Sequence, residues 1–279
     1  MPIRARRLVR KMRGGAQAHL IEGEDGAFYV VKFTNNPQHR RVLINEWLAN
    51  AFLRHLQIQV PQTAIIEITP EFAAGTPELY FSLGPRREPV ELGLHFGSQL
   101  AVHPDRTAIF DFLPDTLLAK VENRADFLGT FVFDKWTCNA DSRQAVFFRA
   151  KAKARTSLKG EVPARVGFFA QMIDHGFAFQ GPHWEFRDSP VQGLYFRTGV
   201  YNEVRSVDSF QPWLSLVENF PIEVIDAAWK EIPRSWIGND ETALEDLLEK
   251  LLARRSQVAD LILDVHEKRK SAFASWPRR

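Results

Sequence analysis

The sequence has almost no cysteine: Cys138 stands alone among 279 residues, so no intrachain disulfide can form and no cysteine-based metal framework exists. A reducing compartment fits, and the cytoplasm is expected. Long apolar runs are missing as well. Nothing approaches the ~18–20 uninterrupted apolar residues of a membrane span, and the N-terminus lacks the apolar core of a signal peptide. Histidines do not gather at ligand spacing, since His95 and His103 lie in a loop-like region and His175 is well separated from His183; this argues against a zinc site. Neither sign of charge prevails. With 36 basic and 34 acidic residues, bulk charge promises no nucleic-acid partner, and no helix-turn-helix signal is present.

What is there belongs to an ordinary folded chain: 45% apolar and 25% charged residues, with no repeat and no long polar tract. The length allows one large domain or two lobes. Basic residues cluster in Arg4–Arg13 and Arg149–Arg155, as a solvated charged face or as a patch for phosphate, an acidic peptide or anionic lipid. The seven tryptophans are dispersed and read as packing residues.

The opening third reads as strands with one helix inserted. Ala18–Glu22 and Phe28–Phe33 flank Glu24-Asp25-Gly26, which predicts a β-hairpin, and Gly14-Gly15 precedes it. Ile44, Leu48, Phe52 and Leu56 recur at helical spacing, so a helix covers 43–56. Thr63–Thr69 returns to strand, with Leu79–Leu83 expected beside it. Residues 84–104, rich in glycine, proline and charge, read as a long loop. Ala108–Leu113 is an apolar run cut off by Pro114, strands are expected at Ala145–Arg149 and Gly167–Ile173, and helices at Asp115–Lys120, Ala125–Asp134, Pro221–Trp229 and Ala243–Glu267. A disordered tail is expected over Lys268–Arg279.

Two acidic segments interrupt apolar runs: the one from Phe133 to Gln144, containing Asp134, Asn139, Asp141 and Arg143, and the one from Met172 to Phe179, containing Asp174. A carboxylate beside strand-like sequence requires a partner. It is a helix or turn cap, a metal ligand or a proton-transfer group.

Taken with the first third, the order of these features resembles the HipA-like kinases and, in its catalytic segment, the type II phosphatidylinositol kinases. The resemblance rests on Arg13-Gly14-Gly15, Val30-Val31-Lys32-Phe33, Asn45-Glu46, Asn139-Ala140-Asp141 and Ile173-Asp174-His175-Gly176, and spans about Arg13 to Phe179. It implies an α+β, bilobal protein-kinase-like fold: a β-rich N-lobe with one helix over 1–110 and a mainly helical C-lobe over 111–279, joined near Phe110–Pro114. It also implies ATP and Mg2+ as cofactors. Phosphoryl transfer then needs converging positive charge: Lys32 on the nucleotide phosphates, Glu46 holding Lys32, Gly14 and Gly15 covering the phosphates, and Asp174 on magnesium. Asp141 looks like the base facing the acceptor hydroxyl.

Adenine would lie against Ile21, Val30, Phe112 and Ile173, with a backbone group of Asp111, Phe112 or Leu113 reading its edge; the same side chains also read as plain core. Where related kinases carry a second metal-binding asparagine, five residues past the catalytic aspartate, this sequence has Val146. Gln144 and Asn139 are the nearest amides, as metal ligands or as simple hydrogen-bonding groups. Arg143 either neutralises a phosphate or tethers the loop.

The acceptor expected from the resemblance is a protein serine or threonine, with a lipid headgroup or small alcohol as the alternative. A nucleotide-binding pseudokinase serving as an interaction module is the reading that Val146 suggests. The toxins of this family carry further N-terminal sequence and act with a DNA-binding antitoxin, and the toxin role is not expected to carry over. Oligomeric state is left open.

Overall fold

The computed structural model describes residues 1–151, 156–157, 160–161, 166–269 and 271–277. Residues 152–155 of the second basic cluster lie outside the described residues. The first basic cluster forms a strand, β1 (Ile3–Lys11). Ala5 turns inward, while Arg4 pairs with Glu67 and both Arg6 and Arg7 pair with Glu22. The expected hairpin follows as β2 (His19–Gly23) and β3 (Phe28–Lys32). Gly26 closes it at a φ of 78°, a conformation open to glycine without a Cβ clash. Helix α1 (Arg41–His55), strand β4 (Thr63–Ile68) and the short helix α2 (Pro70–Ala74) come next.

The segment read as a loop is structured. It carries β6 (Arg86–Pro89), which pairs only with β5 (Tyr80–Leu83), and β7 (Gly93–Gln99). Strand β5 therefore does not lie beside β4. Strand β7 occupies that place, antiparallel to both β3 and β4, and the parallel pairing of β1 with β4 closes a barrel in the order β1-β2-β3-β7-β4. The β7 sequence lacks β-branched residues, and at Gly97 a neighbour comes too close for any side chain. A Cβ on Gly97 would stand 2.5 Å from Ile66 Cγ1, so tertiary packing overrides propensity here.

His95 of β7 is fully buried. Its Nδ1 accepts from the Thr34 backbone N–H at 3.2 Å and its Nε2 faces the Glu91 carbonyl at 2.9 Å, which fixes the neutral tautomer with the proton on Nε2. Burial lowers its pKa from 6.5 to about 4, against the Glu91 hydrogen bond. The folded state thus resists a proton that the unfolded chain binds. Its contribution is present above pH 6.5 and is lost as pH falls toward 4, by about 3 kcal/mol in the limit. His19 and His175 are also buried and shifted down, so the difference between wild type and His95→Gln isolates this term. Denaturant unfolding at pH 7 and 4.5 should show a shallower loss for the variant; equal losses would refute the assignment.

The second half contains β8 (Ile109–Phe110), α3 (Asp115–Leu118), α4 (Asp126–Trp136), β9 (Gln144–Lys151), β10 (Thr156–Ser157), β11 (Gly160–Glu161) and β12 (Val166–Ile173). Strands β12, β9 and β8 form one antiparallel sheet. Helices α5 (Trp213–Glu218), α6 (Ile222–Lys230), α7 (Arg234–Ile237), α8 (Glu241–Ala253) and α9 (Val258–Lys268) follow, α8 and α9 being separated by a 3-10 turn. The tail is not loose over 271–277: Phe273 is buried against Phe131, Tyr201 and Phe210. Residues 270 and 278–279 of that stretch lie outside the described residues. Among the described residues no helix is long and apolar enough to cross a membrane.

Two apolar cores result. One fills the barrel with Ile21, Val31, Phe33, Ile66 and Phe81. The larger one runs from α1 through α4 to α6, α8 and α9. Helix α1 is buried on nearly every face, as a helix packed on several sides must be. Trp47 donates to the Ala228 carbonyl at 3.1 Å, and Arg41 grips Asp240 through two bonds of 2.9 and 2.6 Å.

Candidate active site

Strand parity sets the site. Tyr29 and Val31 of β3 enter the barrel, so Val30 and Lys32 take the other face. There Lys32 Nζ lies 2.5 Å from Glu46 Oε1 and 2.7 Å from Asp174 Oδ1. Burial disfavours the ammonium, but the fields of Glu46 and Asp174 outweigh it and raise the Lys32 pKa. The two carboxylates diverge. Burial raises the pKa of Glu46 despite Lys32, whereas Lys32 lowers that of Asp174 against burial. One ammonium thus serves two carboxylates, and the uncompensated negative charge rests on Asp174, whose side chain is 38% exposed.

The surroundings fix this triad. Asn45, next to Glu46, donates to the Gly176 and Gly181 carbonyls at 2.8 and 3.0 Å and accepts from Trp184 Nε1 at 2.8 Å. Asp174 adopts a left-handed backbone at φ 58° just past β12, which turns its carboxylate away from the strand's alternation. Gly176 lets α1 approach: a Cβ there would stand 2.6 Å from Val42 Cγ1.

Asp141 sits on an exposed loop after α4, its Oδ1 accepting from the Ser142 N–H at 2.7 Å. The Ala140 N–H donates to the Phe177 carbonyl at 2.9 Å, which ties the loop to the segment carrying Asp174. Arg143 is buried. It clamps Asp134 through Nε at 2.9 Å and through Nη2, and reaches the Ile173 carbonyl and His175 Nδ1 with Nη1 at 3.2 and 2.7 Å. Four of its five N–H donors are engaged within the protein and the side chain is only 1% exposed, so Arg143 is tied to the loop and to the residues flanking Asp174.

Asn139 is likewise committed. Its Nδ2 donates to Asp134 Oδ1 at 2.9 Å and its Oδ1 accepts from the Asp141 N–H at 3.2 Å, which is the hydrogen-bonding alternative of the two readings. Gln144 instead lies at the start of β9 opposite Ile173, with its side chain hydrogen-bonded to Asp174. Val146 pairs with Gln171 two residues further along the strand. An amide thus stands beside Asp174 at Gln144, ahead of the position that Val146 holds.

Gly14 and Gly15 form the turn joining β1 and β2, closed by Met12 N–H to Ala18 O at 2.8 Å and Gln17 N–H to Gly14 O at 3.1 Å. Gly15 approaches Gln38, between β3 and α1, so closely that a Cβ would stand 2.6 Å from Nε2. Of the residues expected around adenine, Ile21 belongs to the barrel interior. Leu20, paired with Val30, holds the position on the Lys32 face. Asp111 is exposed, Leu113 is buried in the larger core, and Phe112 is exposed beneath Arg197, whose guanidinium lies 4.5 Å from the ring centre.

The model of the HipA-like kinase family matches residues 6–260. The chain belongs to the HipA-like kinases. No curated protein matches it in sequence. Similar solved structures include the Golgi casein kinase, at 12% identity over 97% of this chain and 73% of that one with a TM-score of 0.49, and the Golgi casein kinase with Mn/ADP bound, at 12% over 97% and 74% with a TM-score of 0.47.

The part of this kinase that sequence reasoning missed is the buried Asp134–Arg143–His175 network beneath the loop. His175 is fully enclosed; burial, then Arg143 and Lys32, hold its pKa well below 6.5. It is therefore neutral and accepts from Arg143. The available signal was an aspartate inside the apolar helix sequence Phe131-Val132-Phe133-Asp134, a position that demands a buried partner.

Proposed function

We propose that this kinase binds ATP with Mg2+ between the glycine turn and Asp174 and transfers the γ-phosphate to a serine or threonine hydroxyl of a protein. The observation carrying the reading is the Glu46–Lys32–Asp174 triad, one cation between two carboxylates. Its excess negative charge suits a divalent ion, and Asp174 and Gln144 offer the oxygen donors that magnesium prefers. Among the described residues no three His, Cys, Asp or Glu side chains gather to hold a metal, so the remaining ligands would be phosphate and water oxygens. When bound, magnesium supplies charge neutralisation on the phosphates.

The residues of the chain do the rest. Lys32 positions phosphate oxygens, held by Glu46 on an immobilised α1. Asp141, on the loop tied to Phe177, accepts or orients the proton of the attacking hydroxyl. Leu20 and Val30 cover the base, and a backbone group of Asp111–Leu113 reads its edge. The division into an N-lobe over 1–110 and a C-lobe over 111–279 follows the change from barrel to helices, with α1 packed into the core of the second part. The single, buried Cys138 supports the cytoplasm as the site of action.

Incubation with γ-labelled ATP, Mg2+ and a panel of serine and threonine proteins and peptides tests this. Label should enter an acceptor or the chain itself, and chelation by EDTA should stop it. ATP binding without transfer across the panel would replace this reading with the pseudokinase one, to which Val146 points.

A further inference from the structure

Beside the loop bearing Asp141 lies a surface cavity of about 580 Å³, lined by Asp115, Leu118, Arg124, Phe196, Arg197 and Asn202 among others. Its position relative to Asp141 is fixed by backbone pairing. Gly193 N–H donates to the Asp141 carbonyl at 3.1 Å, Arg143 N–H donates to Leu194 at 3.3 Å, and Arg143 bridges Tyr195. Phe196 is three residues beyond Gly193, so its backbone lies within about 11 Å of Gly193 and, across the 3.1 Å hydrogen bond, within about 14 Å of the Asp141 carbonyl. An extended peptide covers that span in about four residues.

The charges in the cavity are unequally anchored. Arg197 pairs with Asp115, and Arg124 with Glu203. The arginine side chains are mostly enclosed, 15% and 26% exposed, and Arg197 is further held against Phe112. Their carboxylate partners are 78% and 77% exposed. A solvated carboxylate gains little from a surface pair and yields readily to a better-placed one. The guanidinium groups, fixed and oriented, are the permanent feature, and planar carboxylates match their geometry. Phe196, 65% exposed on the same wall, offers apolar contact to a peptide backbone passing over it.

We propose that this cavity receives an acidic side chain of the acceptor protein, within about four residues of the phosphorylated hydroxyl, with Arg197 and Arg124 as the determinants of specificity. In the free protein Asp115 and Glu203 occupy the places of the incoming carboxylate. The inference deepens the proposed function, on whose acceptor it rests.

Its test is binding, which needs no transfer. The full chain is titrated into fluorescent peptides carrying one serine flanked on both sides by aspartate and glutamate, by alanine, or by lysine, and anisotropy is followed. The acidic peptide should bind about 10-fold tighter than the alanine one, and Arg197→Ala should erase that difference. Asp115→Ala should tighten the acidic peptide, because it removes the internal competitor; a purely structural ion pair would give no gain. Affinity for an ATP analogue should stay unchanged in both variants. Equal binding of all three peptides, preference for lysine, no binding of the acidic peptide, or weaker acidic binding in Asp115→Ala would overturn the proposal. Arg197-dependent binding to phosphatidylserine vesicles with no peptide selectivity would overturn it too. Label transfer from ATP is measured in parallel: transfer without acidic preference rejects this site alone, and acidic preference without transfer rejects the kinase reading alone.

Discussion

Replacing Asp141 by asparagine is expected to lower phosphate transfer about 10²–10⁴-fold, the usual contribution of a positioned proton acceptor, while ATP-analogue affinity and melting temperature remain as in wild type. The physical basis is that asparagine keeps the local fold and removes only basicity. Asp141 is exposed, and its Oδ1 accepts from the Ser142 N–H, which an amide oxygen does equally well. The loop is held by others, through Asn139 and the Ala140 to Phe177 bond. The measurement is label transfer at saturating ATP, with analogue binding and thermal unfolding as controls. A wild-type rate in Asp141→Asn would remove Asp141 from the chemistry and, with it, the proposed direction of acceptor approach.

The largest stability effect should come from Asp134→Ala. Arg143 would then be enclosed without its carboxylate, and breaking a buried pair from one side costs about 3–5 kcal/mol. Asn139 would lose a partner at the same time. Transfer should fall as well, because Arg143 also holds the Ile173 carbonyl and His175 on either side of Asp174. Denaturant unfolding reads the first effect. The double variant Asp134→Leu with Arg143→Met discriminates mechanism: replacing both charges by apolar groups of similar size leaves no buried charge uncompensated, although Asn139, the Ile173 carbonyl and His175 lose neutral partners, so part of the lost stability should return while transfer stays impaired. If the double variant were as unstable as Asp134→Ala, packing rather than charge would explain the loss. If Asp134→Ala unfolded like wild type, the network would have no structural weight.

The contrast between these two aspartates marks how far the sequence reaches. Both stood out as acids within apolar surroundings, yet Asp134 is sealed among protein partners and Asp141 faces solvent. The hairpin of β2 and β3, helix α1 and the strands β9 and β12 were legible because alternation and helical spacing are local properties of the chain. Strand β7 was not, since its Gly97 and His95 answer to Ile66 and Thr34 in neighbouring segments. Ile21 reads from sequence as cleft lining or as core, and the barrel takes it inside while Leu20 lies on the Lys32 face: a strand reverses its faces at every residue, and only the closed barrel shows which face is inside.

The amino-acid sequence by itself determined the order of elements, the lysine at the end of a strand, the acid on the following helix and the two later acidic segments. Tertiary structure alone decided that Lys32 meets Asp174 across 142 positions of chain, that Arg143 is buried against Asp134 and His175, and that two paired arginines line one cavity. The reason is physical. A residue's backbone preference depends on its immediate neighbours, whereas the state and purpose of a charge depend on which distant groups folding brings within a few ångströms of it.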